Sequence, residues 1–320
     1  MTIRSSWKAA ALATATTIMI TTGAASVAQN LGEVRVFTPG PAVTMLPMHV
    51  AMVKGFDKEA GFTTTLTQTA GAIGVKAMIG GDFEFGMSAG SSLTAAVNGA
   101  PVRIIYAHVA KSLFYFYAQE ALTNMKALEG KRIAVDAIGG SQDIAARLAM
   151  RAGGANPASA IFLGMGFKAI PGALIAGAID AAVITPPTDL QLINSSKKFE
   201  YLGFLGDHQS SLTGGLATTE AMIKRRPELV RAVVNAHYKA HQFILANRDE
   251  TVPIMAKYLG LSEADARLTY DKLIGHFTKS GTIPLDAQKT MIEDQVRALN
   301  AKRSPAPEEI FVFRFVNEAK

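Results

Sequence analysis

Short β-prone runs alternate with helix-length stretches up to about residue 219, and helical periodicity governs the rest of the chain. Val34-Arg35-Val36-Phe37 alternates like a strand and is broken by Thr38-Pro39-Gly40-Pro41. Pro47 suits the first turn of a helix, where a missing N–H costs nothing. Gly55 and Gly61 stand where positive φ is expected at helix ends. A Thr-rich strand ending at Leu66, a short helix over 71–80, a strand at Phe83-Glu84-Phe85, a Ser-rich turn at 88–92 into a helix, and a strand over 102–106 follow. From Glu220 the pattern predicts helices over 227–247, 252–259, 262–276 and 285–299, with an apolar tail over 310–316 that docks.

The pattern recurs. Residues 46–101 and 132–187 read as two versions of one unit, with matched glycines 96 positions apart. Aligning Gly81 with Gly177 places Glu84 over Asp180. A unit that recurs once predicts two similar lobes rather than a solenoid. Alternating strands and helices predict parallel α/β sheets covered on both faces. Leu113 to Ala118 is the expected crossing strand between lobes, and Gly214 to Thr219 the return. The expected division is residues 1–28 as a leader, 29–108 with 223–320 as one lobe, and 109–222 as the other.

The leader rests on Arg4 and Lys8 followed by an uncharged stretch, with Ser26-Val27-Ala28 as the expected cleavage site before Gln29. Its loss leaves 292 residues, 30 of them basic and 26 acidic, a net charge of +4. The longest basic run is Lys224-Arg225-Arg226, with no aromatic platform interleaved, so nucleic acid is not an expected partner. The absence of cysteine excludes disulfides, thiolate metal sites and Cys nucleophiles. Export without a lipid-anchoring Cys points to the periplasm of a Gram-negative cell.

Clefts between domains are preferred ligand sites, and parallel sheets bind ligands beyond the carboxyl ends of their strands. That rule selects the loops over 38–46, 88–92, 138–143 and 185–189. Their side chains are mostly hydroxyls and one amide: Thr38, Thr44, Ser88, Ser91, Ser92, Ser141, Gln142 and Thr185. Met45, Leu46 and Phe114 are the expected apolar lining, and Lys111 a candidate counter-charge. The ligand expected is a small organic anion, a carboxylate, sulfonate or aromatic acid, with its charged end at helix N-termini. Other chemistry is thin. His237 and His241 have a zinc-compatible spacing without a visible third ligand. Gly164-Met165-Gly166-Phe167-Lys168-Ala169 fits a dinucleotide fingerprint, but Pro171 interrupts the helix that should follow. No cofactor and no metal are expected.

Ala51-x-x-Lys54-Gly55-Phe56, Ala60-Gly61-Phe62-x-x-x-Leu66, Gly80 to Gly86, Asn98-Gly99-Ala100-Pro101-Val102 and Leu128 to Val135 occur in an order that resembles the sulfonate/nitrate/taurine type of periplasmic substrate-binding protein, a group that includes thiamine-pyrimidine binders. Arg226 to Ala232 is similar to that family's helix after the return crossing. The resemblance implies the type II periplasmic binding protein fold, two α/β lobes around a ligand cleft. It also implies a monomer that delivers its solute to an ABC permease in the inner membrane. The family's cleft residues fall on the loops already selected. Thr185-Pro186-Pro187 departs from relatives that carry an aromatic or acidic residue before the first proline, so specificity does not transfer. A periplasmic sensor or adaptor would use the same cleft. An enzyme like the yeast-type thiamine pyrimidine synthase of the same superfamily is disfavoured, because that enzyme relies on a cysteine-rich segment.

Overall fold

A computed structural model describes Met1 and residues 30–166, 168–207 and 210–319. The leader expected over 1–28 lies outside the described residues, Met1 apart. No helix among them is long and apolar enough to cross a membrane.

The first lobe opens with β1 (Gly32–Thr38), α1 (Leu46–Lys54), α2 (Phe56–Glu59), β2 (Phe62–Gln68), α3 (Gly71–Gly80), β3 (Phe85–Gly86), α4 (Ala89–Val97) and β4 (Val102–Lys111). The chain then crosses and builds β5 (Tyr115–Gln119), β6 (Arg132–Val135), α5 (Ser141–Ala152), β7 (Ile161–Gly164), α6 (Ile170–Ala176), β8 (Ala181–Ile184), α7 (Asp189–Ile193) and β9 (Phe199–Phe204). It returns through β10 (Ser210–Thr219) and ends in α8 (Glu220–Arg225), α9 (Pro227–Ala246), α10 (Arg248–Leu259), α11 (Glu263–Leu273), α12 (Leu285–Leu299) and α13 (Arg314–Ala319).

The two sheets run β2-β1-β3-β10-β4 and β7-β6-β8-β5-β9. In each, the first three strands are parallel and the fourth is antiparallel to both its neighbours. That fourth strand is always the one arriving from the other lobe. β10 therefore completes the first sheet between β3 and β4, whereas the sequence division gave residues up to 222 to the second lobe. The reason is pairing: β10 lies along β4 from Ser210↔Lys111 to Thr219↔Val102.

The crossings between lobes touch. Leu205 N–H donates to the Phe114 carbonyl at 2.9 Å. A Cβ on Gly206 would stand 2.4 Å from the Ser112 carbonyl oxygen, so glycine is what lets the two backbones pass.

Alternation along β1 sends Val34 and Val36 to one face of the first sheet and Phe37 to the other. The first face is covered by α1 and α9, whose buried Leu229, Val230, Val233, Val234, His237, Ala240, His241 and Ile244 form a stripe at helical spacing. The second is covered by α3, α4 and α12. Ile310 and Val312 hydrogen-bond Ile104 at 2.8 Å, which docks the tail against β4. The second lobe is thinner. Phe116, Ile133, Val135 and Val183 face α5, while Ala134, Ala182 and Ile184 face α6 and α7.

Candidate ligand-binding site

Between the lobes lies a cavity of ≈ 30 Å³, lined by residues that follow the carboxyl ends of β1, β3, β6 and β8. From the first lobe come Pro39, Gly40, Ala42, Thr44, Met45, Ser88, Gly90 and, from β10, Thr213. From the second come Asp136, Ser141, Gln142 and Thr185, with Phe114 contributed by the crossing. The volume suffices for water or a very small ion, since one water needs about 10–15 Å³ by such a measure. The lobes are drawn together here. A Cβ on Gly90 at the start of α4 would stand 2.6 Å from the Ser141 Cβ at the start of α5. Gly71 N–H, opening α3, donates across the gap to the Asp136 carboxylate at 3.1 Å.

Second-lobe polar groups are held in place by one another. Gln142 accepts from Asp136 N–H at 2.7 Å and donates to Thr185 Oγ1 at 2.9 Å. Thr188 Oγ1 donates to the Thr185 carbonyl at 2.7 Å, beside the cis peptide between Pro186 and Pro187. Asp143 accepts from Gly139 N–H at 2.8 Å and from Arg147 Nε at 2.7 Å, which secures the turn entering α5. On the first lobe, Ser88 Oγ donates to Ser91 Oγ at 3.0 Å.

Of the residues selected from sequence, Thr44, Ser88, Ser141, Gln142 and Thr185 border the cavity, as do Met45 and Phe114. Thr38, Leu46, Ser91 and Ser92 are buried behind that wall. Thr38 turns onto Gly40, and Leu46 packs with the first-lobe core. Lys111 is exposed at the end of β4, outside the lining, and its carbonyl accepts from Thr213 Oγ1 at 2.6 Å.

Asp136 and Thr213 escaped the sequence reading. Asp136 is the only ionisable side chain among the described lining residues. It directly follows Val135, the last residue of β6, where the carboxyl-end rule would have found it had the loop been started two residues earlier.

The His237–His241 pair sits in a buried cluster of rings. Both rings are buried with His108 beneath the first sheet, and among the described residues no group of three or more His, Cys, Asp or Glu is placed to bind an ion. The His108 ring donates from Nε2 to the Thr44 carbonyl at 2.7 Å, because a carbonyl can only accept. Its Nδ1 then accepts from His237 Nε2 at 3.3 Å. Tyr106 Oη pairs with His241 Nδ1 at 2.7 Å. Burial pushes His108 down to about 4 and His241 to about 3, and holds His237 well below the ordinary imidazole range. The neutral cluster thus supports the cavity-lining loop through Thr44.

The chain resembles several solved structures. A protein from Bordetella bronchiseptica RB50 superposes with a TM-score of 0.76 at 22% identity, covering 90% of this chain and 96% of that one. The alkanesulfonate-binding protein SsuA from Xanthomonas axonopodis pv. citri, bound to MOPS, gives 0.69 at 19%, with coverage of 90% and 97%. The desulfurization enzyme DszB gives 0.62 at 13%, with coverage of 91% and 98%. No curated protein sequence matches. These likenesses establish the periplasmic binding protein fold, which carries both solute-binding proteins and an enzyme. Residues 43–251 match the NMT1/THI5-like family model, and the chain belongs to that family.

Proposed function

We propose that the protein is an extracytoplasmic solute-binding component of an ABC importer, and that its central cleft captures a small carboxylate or sulfonate. The carrying observation is the cavity between the lobes. Its walls come from both lobes, and the starts of α4 and α5 meet across it. Backbone N–H groups at helix starts favour an anionic end. Ser88, Ser141, Gln142 and Thr185 add directional hydrogen bonds without fixed charge. Sulfonate binding by a structural relative supports the same class.

Asp136 sharpens the reading. A carboxylate in the wall, with no cationic side chain among the described lining residues, disfavours a simple anion unless the same molecule carries an N–H or O–H donor. Small size also matters, because ≈ 30 Å³ leaves no room for an aromatic ring in this arrangement. Among the described lining residues the polar groups are hydroxyls, one amide and one carboxylate, which suit hydrogen bonding to a captured solute.

A thermal-shift screen of refolded protein against small carboxylates, sulfonates, their amino- and hydroxy-substituted forms, nitrate and pyrimidines tests this. A ligand at a hundredfold excess over Kd stabilises by about 2.7 kcal/mol. The expected result is stabilisation by one small-acid class. Gln142→Ala, which unties Asp136 from Thr185, is expected to weaken that ligand tenfold or more. Stabilisation by pyrimidines alone, or by nothing in the panel, would refute the assignment.

A further inference from the structure

A second cavity opens at the seam between the lobes, away from the central one and far larger, at ≈ 330 Å³. Its second-lobe wall is aromatic. Tyr115 and Tyr117 lie two apart on β5 and so face the same side. Tyr201 and Phe204 join them from the neighbouring strand β9. Tyr201 stands edge-on to Tyr115 at 6.0 Å and tilted to Tyr117 at 5.3 Å, centroid to centroid. The opposite wall belongs to the first lobe: Lys272 near the end of α11, and His276 just beyond it. Lys272 Nζ sits 4.5 Å from the centre of the Tyr115 ring.

These groups specify an occupant. The aromatic wall suits a flat ring, and an ammonium already faces it, so a second cation would be repelled. Asp189 is buried nearby and attracts Lys272, but it is not part of the wall. Burial, reinforced by Asp189, keeps the Tyr115 and Tyr117 hydroxyls protonated, which makes them donors toward an acid group. Size decides between the two cavities. Benzene occupies a cavity of about 150 Å³, so the seam accommodates a substituted ring while the central cavity excludes it.

We propose that the seam is a second solute site, which binds a monocyclic aromatic carboxylate or sulfonate with its ring against the tyrosines and its acid group on Lys272. The assignment is independent of what fills the central cleft.

Calorimetric titration of the protein with benzoate and with benzenesulfonate tests it. Saturable binding is expected, weakened at least tenfold by Lys272→Met and by Tyr201→Ala and retained by Lys272→Arg. Both positions are exposed, so the variants should melt with the wild type. Gln142→Ala, in the central cleft, should leave the affinity unchanged, and cyclohexanecarboxylate should bind several-fold more weakly than benzoate. Absence of saturable binding overturns the proposal, as does a Lys272→Met protein that binds like the wild type. So does a loss of affinity on Gln142→Ala alone.

Discussion

The two lobes share a frame and differ in what they bury. In the first, Arg35 N–H donates to Glu84 at 2.8 Å, while its guanidinium binds the same carboxylate and the Gly81 carbonyl. In the second, Arg132 N–H donates to Asp180 at 2.8 Å, and its guanidinium binds that carboxylate and the Gly177 carbonyl. Each clamp ties the first strand of a sheet's parallel trio to the loop before the third, and each glycine ends a helix at positive φ, 96° and 74°. The cores diverge. Phe37 pairs in register with Gly86, a large residue beside a small one, whereas Ala134 pairs with Ala182. Only the first lobe carries the C-terminal helices, and only there do three buried imidazoles meet. The shared frame places loops around a cleft, and the added mass makes one lobe the thick platform.

The histidines should make the lobes respond differently to acid. Each buried imidazole has a folded-state pKa below its unfolded value, so the unfolded chain takes up protons first. Stability is then fully present above about pH 6.5 and falls as the pH drops toward the folded-state values near 4 and 3. Each proton is worth about 1.4 kcal/mol per pH unit, so three together approach 4 kcal/mol per unit. Residues 109–207 contain no histidine. Hydrogen exchange at pH 7 and pH 5, corrected for intrinsic rates, should show β4 and α9 losing protection while β6 and α5 keep theirs. Equal losses in both lobes would remove the asymmetry.

A smaller but still large effect is expected at Phe37. Its ring lies between Gly74 and Gly86, where an added Cβ would approach it to 2.3 and 2.0 Å. Phe37→Ala should cost about 3–5 kcal/mol, as for other fully buried aromatics. Denaturant unfolding measures it, and a loss below about 1 kcal/mol would mean that the neighbouring glycines let the site collapse. No comparable deletion exists at Ala134, which is already small.

Much of this was legible in the sequence. The single recurrence, the alignment of Gly81 with Gly177 and of Glu84 with Asp180, and the hydroxyl-bearing loops follow from local pattern. Gly55 and Gly61 adopt the expected positive φ, 76° and 87°. What local pattern does not carry is how distant segments meet. His108 and His237 are 129 residues apart, and nothing near either announces the other. The spacing of His237 and His241 is local, whereas their ring partners Tyr106 and His108 come from distant β4. The cavity wall is likewise a product of closure. Ser91 and Ser92 belong to the same turn as Ser88, yet the start of α4 rotates them behind it. β10 read as a return because its strand character was plain, while its partner strands were not.

The clamps give the finest comparison, because chemistry is matched and burial differs. Glu84 is 16% exposed at its side chain and Asp180 26%. Burial alone would raise the Glu84 pKa, yet hydrogen bonds from Arg35 bring it below the usual range. For Asp180 the Arg132 hydrogen bond dominates, and burial opposes it less. Arg35→Met removes the guanidinium but leaves the backbone donor, so it should cost about 1–2 kcal/mol after allowing for Arg35 being half exposed. Arg132→Met should cost less. Since both carboxylates have lowered pKa values, each contribution is present at neutral pH and is lost as the pH falls from the ordinary carboxylate range through the folded-state value, overlapping the acid end of the histidine window. Denaturant melts of the two variants at pH 7 and pH 4 check both claims. A larger loss from Arg132→Met would show that lobe thickness, rather than carboxylate burial, decides how much each clamp contributes.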